Sequence, residues 1–359
     1  MAENVSAYRG CLLGLAVGDA MGLPVDDKNW DEICAAYGPN GLLGYDLVNG
    51  NAEITSYTQL AVYACNGLMV GLTRGRVENA LEYIKLGLAE WTRSQLFYRD
   101  PEPSLCWVAK MPSMRTRRCR DSRMLDVLRR KELGSPEKPG KTSEYPGALT
   151  TAVAAGMFFD ERRLTPARVG RLGAEAVALT HGSPETFLTG ALLSYIIAGI
   201  LHDQHLPLEE QFLQAARAVD SQFRGQFREA ADLAQQVEII VAQALETEDP
   251  RAGMENLHCD TAAQCLMGAI FACLNSPDDF DTAMILAVNH SGRSAAVGAL
   301  TGAILGAKLG EEALPEFYLE SLEQRQILEV LAKDMAQGSI TRGLFDDDWD
   351  HKYAQGLPL

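Results

Sequence analysis

The chain has 359 residues, 47% of them hydrophobic, which is enough to bury one large core or two smaller ones. Its 48 acidic and 32 basic side chains give a formal net charge of −16. Because such a field repels nucleic acid and anionic membranes, we expect neither as a partner, whereas a basic protein would be attracted.

The N-terminal segment "MAENVSAYRG" has no basic stretch followed by an apolar one, so it does not predict a signal peptide. The eight cysteines are scattered along the chain without a CxxC pair. This pattern is typical of reduced, buried thiols, and we expect a cytoplasmic protein.

Hydrophobic residues recur at helical spacing along most of the chain, and convincing strand alternation is absent. We therefore predict an all-α fold. Four loop segments do not separate stretches of contrasting composition; they are 37–52, 134–147, 202–210 and 275–279. We expect a compact single-domain helical bundle over 1–338, followed by a C-terminal extension over 339–359 that either packs on this domain or binds a partner.

Two segments carry glycine at every fourth position, from Gly10 to Gly22 and from Gly298 to Gly310. Residues four apart share one face of a helix, so each glycine row forms a groove that another backbone can approach closely. A glycine costs about 1 kcal/mol relative to alanine in a helix interior, which tight packing would have to offset. We predict that both helices are central, an arrangement in which they can contact each other.

Polar loops border these helices in three places: "GDAMGLPVDD" (18–27), "EITSYTQ" (53–59) and "NHSGRS" (289–294). Polar loops at the ends of buried small-residue helices are how a helical bundle forms a ligand pocket. Asp19 either lines that pocket or accepts hydrogen bonds from loop amides.

A cluster of basic residues runs through 115–131 without interleaved aromatic residues, which favours an internally paired, solvated helix face over a nucleic-acid site. The apolar run 187–201 is short for a membrane span and predicts a core helix. His202 and His205 lack a third ligand, so we do not expect a metal there. His258 and Cys259 are adjacent along a predicted helix and therefore do not share one face, which disfavours a thiol enzyme.

Five segments of the chain together carry a family likeness. They are "YRGCLLGLAVGDAMGLPVDD" (8–27), "ITSYTQL" (54–60), "LTHGSPETFLTGALLSYIIAGI" (179–200), "AVNHSGRSAAVGALTGAILGA" (287–307) and "LPEFYLESLEQRQILEVLAKDM" (314–335). In this order they resemble the ADP-ribosylglycohydrolase family. The resemblance implies a compact all-α bundle with a two-magnesium site that removes ADP-ribose from modified targets.

The departures from the family pattern fall on its metal ligands. Where the family has Thr-Asp-Asp-Thr, this chain has Thr55, Ser56, Tyr57 and Thr58. The family's second cluster, Asp-x-Asp followed by Ser or Thr, falls on 293–296. Its vestigial positions are occupied by Arg293, Ala295 and Ala296. Magnesium depends on carboxylate oxygens, and a fixed guanidinium repels it, so we expect no metal cofactor.

Other ligand-facing positions of the family also differ. A basic loop rich in glycine and cysteine corresponds to 141–151, where Thr150 and Thr151 replace a Met-Arg pair. The family's glutamate after "GxPV" corresponds to Asp26, a shorter acid. Changes at several separate places suggest relaxed selection on hydrolysis.

The resulting hypothesis is a pseudoenzyme that acts by binding. One version is a metal-free reader of ADP-ribose or a related nucleotide, with Arg293, His181, Asp26 and Asn289 as candidate contacts. The other is an immunity or regulatory protein that binds a basic partner such as an ADP-ribosyltransferase. The alternative is a residual glycohydrolase using Asp19, Asp26 or Asp27, and a third interpretation is a subunit that stabilises an active paralogue.

Overall fold

Helices make up the architecture of the computed structural model, which describes residues 4–96, 104–160, 164–338 and 347–354. Within these ranges 17 α-helices are connected by loops and short 3-10 helices. The β contacts there are isolated bridges, and no strand forms. The all-α prediction is confirmed. The helices are α1 (Val5–Gly22), α2 (Trp30–Tyr37), α3 (Ser56–Thr73), α4 (Ala80–Leu96), α5 (Ser122–Arg130), α6 (Thr150–Met157), α7 (Pro166–Ala178), α8 (Pro184–His202), α9 (Leu208–Phe223), α10 (Glu229–Glu246), α11 (Pro250–Asn256), α12 (Ala262–Asn275), α13 (Phe280–Val288), α14 (Ser294–Leu309), α15 (Glu316–Ser321), α16 (Arg325–Gln337) and α17 (Asp347–Tyr353).

The two glycine-rich helices, α1 and α14, pack against each other in the centre of the molecule. A Cβ atom added to any of three glycines of α1 would overlap a backbone carbonyl of α14, because the two backbones are in direct contact. The facing pairs are Gly10 with Gly306, Gly14 with Gly302, and Gly18 with Gly298. Their reversed order makes the helices antiparallel, and nearly every residue of both helices is buried. The prediction that both helices are central is confirmed.

Helix α8 begins with Pro184 at its first turn and packs against α6, α7 and α9. By length and composition it is the one helix in the described part of the chain that could cross a membrane, but 78% of its apolar window is buried inside the protein. It therefore serves as the core helix that the sequence predicts.

The segment before α5 corrects the interpretation of the basic cluster as a helix face. After a 3-10 turn that ends at Arg115, the chain runs without helix to Asp121. It lies against the start of α3, where the amide of Ser56 donates to the carbonyl of Arg118 (3.1 Å). Arg118 pairs with Glu53 and Glu323. The internal pairing of the cluster is thus observed, but residues 116–121 form a loop because they are held by contacts with another helix.

The short helix α17 packs back onto the domain. The side chains of Trp349 and Tyr353 are buried, the indole Nε1 donates to Thr73 Oγ1 (3.0 Å), and the Tyr353 hydroxyl donates to Asp334 (2.7 Å). Lys352 pairs with the same carboxylate at 2.6 Å. The other parts of the predicted extension, 339–346 and 355–359, lie outside the described residues.

Candidate functional site

The loop after α1 and the start of α14 meet at one end of the central helix pair. Because α1 and α14 are antiparallel, the end of α1 adjoins the start of α14, and Gly22 lies against Ser294 and Ala295. The amide of Ala295 donates to Asp26 Oδ1 at 3.0 Å, and the amide of Asp27 donates to the carbonyl of Gly292 at 3.0 Å. Asp26, from the loop after α1, therefore supplies an N-terminal cap to α14.

The charge of Asp26 is balanced by Arg120, an arginine that the sequence pattern placed on a solvated helix face. Its carboxylate is fully buried and forms an ion pair with Arg120, whose backbone amide donates to Ser56 Oγ at 3.1 Å. Burial raises the pKa of Asp26, while Arg120 and the amide of Ala295 oppose that rise. The partners are 94 residues apart in the chain, so no local motif links them.

Arg293 stands at the N-cap of α14, an unusual place for a cation because the partial charge of a helix N-terminus is positive. It forms an ion pair with Asp27, and its guanidinium lies 5.0 Å from the centre of the Tyr145 ring. Its Nε atom is buried and has no hydrogen-bond partner in the described part of the chain. The site therefore holds two arginines and two aspartates, with Asp27 placed between Arg293 and Arg120.

Asp19 has a structural role, because it holds the start of α3 by hydrogen bonds. It is completely buried, and its two oxygens accept hydrogen bonds from the amides and hydroxyls of Thr55 and Thr58 at 2.6–3.1 Å. Burial raises its pKa, and these hydrogen bonds counteract part of the rise. Both oxygens are thus occupied in fixing the start of α3, which leaves neither one facing a ligand space.

Tyr57, which the sequence resemblance aligns with a carboxylate of the family pattern, lies at the start of α3. Its side chain is 1% exposed, and burial raises the pKa of its hydroxyl well above the usual range. This hydroxyl lies beside that of Tyr145 and makes no hydrogen bond of good geometry among the described residues. A buried polar atom of this kind favours a site where a ligand or water completes the hydrogen bonding.

The residues present do not fit a two-magnesium site. Magnesium takes oxygen ligands in near-octahedral geometry and needs carboxylates to balance its charge. Asp26 and Asp27 already have arginine partners. Across the residues that the structure describes, no group of three or more His, Cys, Asp or Glu side chains could hold a metal ion.

The two other candidate contacts, His181 and Asn289, are engaged elsewhere. His181 is buried after α7, with Nδ1 2.8 Å from Thr180 Oγ1 and Nε2 3.2 Å from Asp121 Oδ2. The side-chain amide of Asn289 accepts from the N–H of Leu42 and donates to its carbonyl, both at 2.8 Å. Of the four predicted contacts, the structure therefore brings together Arg293 and Asp26. The sequence analysis missed Arg120 and Tyr145 as members of this site.

The remaining nucleophile and metal candidates have structural contacts. His202 Nε2 lies 3.1 Å from the carbonyl of Phe159, and its ring packs edge-on against that side chain. His258 and Cys259 lie in a loop with positive φ angles of 60° and 46°, which corrects the helix expected there. All eight cysteines are free, and burial raises the pKa of the Cys259 thiol, which makes it a poor nucleophile.

Comparisons with known proteins give matches along nearly the whole chain. The model of a family described as ADP-ribosylglycohydrolase matches residues 2–344. A protein of Archaeoglobus fulgidus, described as uncharacterized, is 25% identical over 335 residues, which cover 90% of this chain and 94% of that protein. A solved structure described as an ADP-ribosylglycohydrolase-related protein complex is similar in fold, with a TM-score of 0.57 and 21% identity over 94% of this chain and 100% of that chain. Since the family model spans nearly the whole sequence, the chain belongs to the ADP-ribosylglycohydrolase family.

Proposed function

We propose that this family member acts by binding ADP-ribose or a related nucleotide without a metal, and that it does not hydrolyse its ligand by metal assistance. The observation that carries the proposal is the pair of guanidinium groups, from Arg120 and Arg293, at the junction where the family pattern places metal ligands. A guanidinium group can hold a diphosphate by charge-assisted, bidentate hydrogen bonds where a metal would otherwise do so.

The two ion pairs differ in how readily a ligand could displace them. Asp26 is fully buried and also caps α14, so its pairing with Arg120 is part of the fold. Asp27 is 54% exposed, and its pairing with Arg293 is open to water. Because exposed ion pairs contribute little to stability, a diphosphate can exchange for Asp27 at small cost. Arg293 is therefore the proposed phosphate contact, while Arg120 stays paired with Asp26.

The contacts of the acids disfavour the alternative of a residual hydrolase. A general base must reach the proton that it abstracts. Asp19 is buried with both oxygens hydrogen-bonded, and Asp26 is held by Arg120 and the amide of Ala295. Neither has a free oxygen directed toward a substrate, and the third acid, Asp27, is paired with Arg293. These contacts support a role in binding.

The test is a calorimetric titration of ADP-ribose into the full chain, once with magnesium and once with EDTA. We expect saturable binding in both buffers and a weakening of about tenfold or more in Arg293→Ala, as for the loss of a charge-assisted hydrogen bond. Arg228→Ala is the matched control, since that side chain is 89% exposed and lies outside the site.

Binding that appears only with magnesium, or that is unchanged in Arg293→Ala, would contradict the proposal. No binding in either buffer would also overturn it and would favour the version in which the acidic protein binds a basic partner. Release of ADP-ribose from a modified target, lost in Asp26→Asn, would instead establish the hydrolase alternative.

A further inference from the structure

Exposed hydrophobic side chains are concentrated on two segments, the loop 41–53 and the short helix α15. Eight large hydrophobic residues are exposed in the described part of the chain, and half of them lie on these two segments. They are Leu43, Leu47, Val48 and Phe317, each between 43% and 56% exposed. Single exposed hydrophobic residues are common on protein surfaces, but a group of them is typical of an interaction site.

The two segments are joined to each other, so that their exposed residues belong to one surface. The amide of Ala52 donates to the carbonyl of Ser321 at 2.8 Å. The ring of Tyr45 packs edge-on against that of Tyr318, with 5.1 Å between centroids, and the ring of Phe317 lies 4.3 Å from the same tyrosine. The loop and α15 therefore lie side by side.

The loop has a fixed conformation although its hydrophobic side chains face water. Val48 and Asn51 exchange both backbone hydrogen bonds, at 2.9 and 3.0 Å, which closes a tight turn. At the other end of the loop, the backbone of Leu42 is held by the side chain of Asn289. A binding surface that is already ordered loses less conformational entropy when a partner docks.

The same surface is acidic. The segments 41–53 and 310–323 contain two and five acidic residues and no lysine, arginine or histidine. The acids are Asp46, Glu53, Glu311, Glu312, Glu316, Glu320 and Glu323. Arginines of other segments pair with four of them. Asp46 and Glu320 are exposed and have no ion pair among the described residues, so both charges are available to a partner.

This combination of charge and exposed hydrophobic groups selects one kind of partner. A second copy of the chain, docked symmetrically, would place the same acids against each other. Nucleic acids and anionic membranes would be repelled as well. A protein segment with apolar residues on one face and basic residues beside them would bury the hydrophobic groups and meet the acids with opposite charge.

We propose that the surface formed by the loop 41–53 and α15 binds a cationic, amphipathic segment of a partner protein. Leu47 and Phe317 are the proposed apolar contacts, and Glu320 is a proposed charge contact. The inference does not depend on the proposed ADP-ribose site, because Arg293 and its partners belong to other segments.

The experiment titrates the full chain into a fluorescently labelled helical peptide of leucine and lysine with one apolar face, and measures anisotropy at physiological ionic strength. A peptide of the same composition in scrambled order, without an apolar face, is the comparison. We expect saturable binding of the amphipathic peptide, weaker binding of the scrambled one, and a weakening of roughly tenfold or more in Leu47→Ser/Phe317→Ser. Both side chains are exposed, so the variant should fold, which circular dichroism verifies.

Helix α10 provides matched controls outside this surface. Ile239→Ser/Leu245→Ser removes two hydrophobic side chains of similar exposure, 47% and 58%, and should bind the peptide as the wild type does. Glu320→Lys should weaken binding by about threefold, whereas Glu238→Lys changes the net charge equally and should have a smaller effect. Both glutamates are exposed.

Several results would overturn the proposal. They are the absence of saturable binding, equal binding of the scrambled peptide, unchanged binding in Leu47→Ser/Phe317→Ser, and equal weakening in the α10 controls. A dimer in analytical ultracentrifugation that this double variant abolishes would show instead that a second copy occupies the surface. Arg293→Ala should bind the peptide as the wild type does, which separates this proposal from that of the ADP-ribose site.

Discussion

Replacement of Arg120 by alanine tests whether this arginine is the counter-ion on which Asp26 depends. The variant leaves the fully buried Asp26 carboxylate without its ion-pair partner, and Asp27, 3.7 Å from Arg120, is a second acid nearby. Removing one member of a buried ion pair typically costs 3–5 kcal/mol. Since the Arg120 side chain is 30% exposed, water can partly compensate, and we expect a loss of roughly 3 kcal/mol.

The assay is equilibrium urea unfolding at pH 7 with EDTA, comparing midpoints at constant slope. The double variant Asp26→Asn/Arg120→Ala should recover part of the loss, because it no longer buries an unpaired charge. Arg129→Ala serves as the control, since its pair with Asp126 is exposed to solvent and such pairs contribute little to stability. A loss below about 1 kcal/mol in Arg120→Ala, or no recovery in the double variant, would refute the counter-ion role.

Two further measurements address the packing and the titration of buried groups. Gly302→Ala should lower the free energy of unfolding by about 1–3 kcal/mol, because its Cβ would overlap the backbone at Gly14. The control Gly225→Ala adds its Cβ to open space and should change the free energy of unfolding little. Equal effects of the two variants in urea unfolding would count against the backbone contact. Burial alone would raise the pKa of Asp121, but His181 and the amides of α5 hold it below its usual value. Its stabilising contribution is therefore complete above the unfolded pKa of about 4 and is lost as the pH falls toward the folded pKa. The stability difference between wild type and Asp121→Asn should shrink between pH 6 and pH 3, and a constant difference would show that the charge of Asp121 is irrelevant.

Local patterns in the sequence predicted the parts of this fold that depend on short-range geometry. The period of four in the glycine rows indicates a helix face, and a groove of glycines is useful only against another backbone, which made the central position of α1 and α14 predictable. Helical spacing of hydrophobic residues likewise predicted the all-α class.

The site depended on contacts between distant segments, and there the sequence was less informative. Arg120 was assigned to a solvated helix face, but its partner Asp26 is 94 residues away. Asn289 was predicted as a ligand contact, yet its side-chain amide binds the backbone of Leu42, 247 residues away. The type of a polar residue indicates which bonds it can make, whereas the tertiary fold decides whether those bonds are already used.

Because α1 and α14 contact each other through their backbones, the packing of this fold does not depend on which polar side chains stand at the junction. The register of the two helices is set by backbone against backbone along their length, from Gly10 and Gly306 to Gly22 and Ser294. No side chain at the polar junction is needed to establish that register. Side chains at this end can therefore change while the scaffold persists, which makes the junction a region where new recognition can arise.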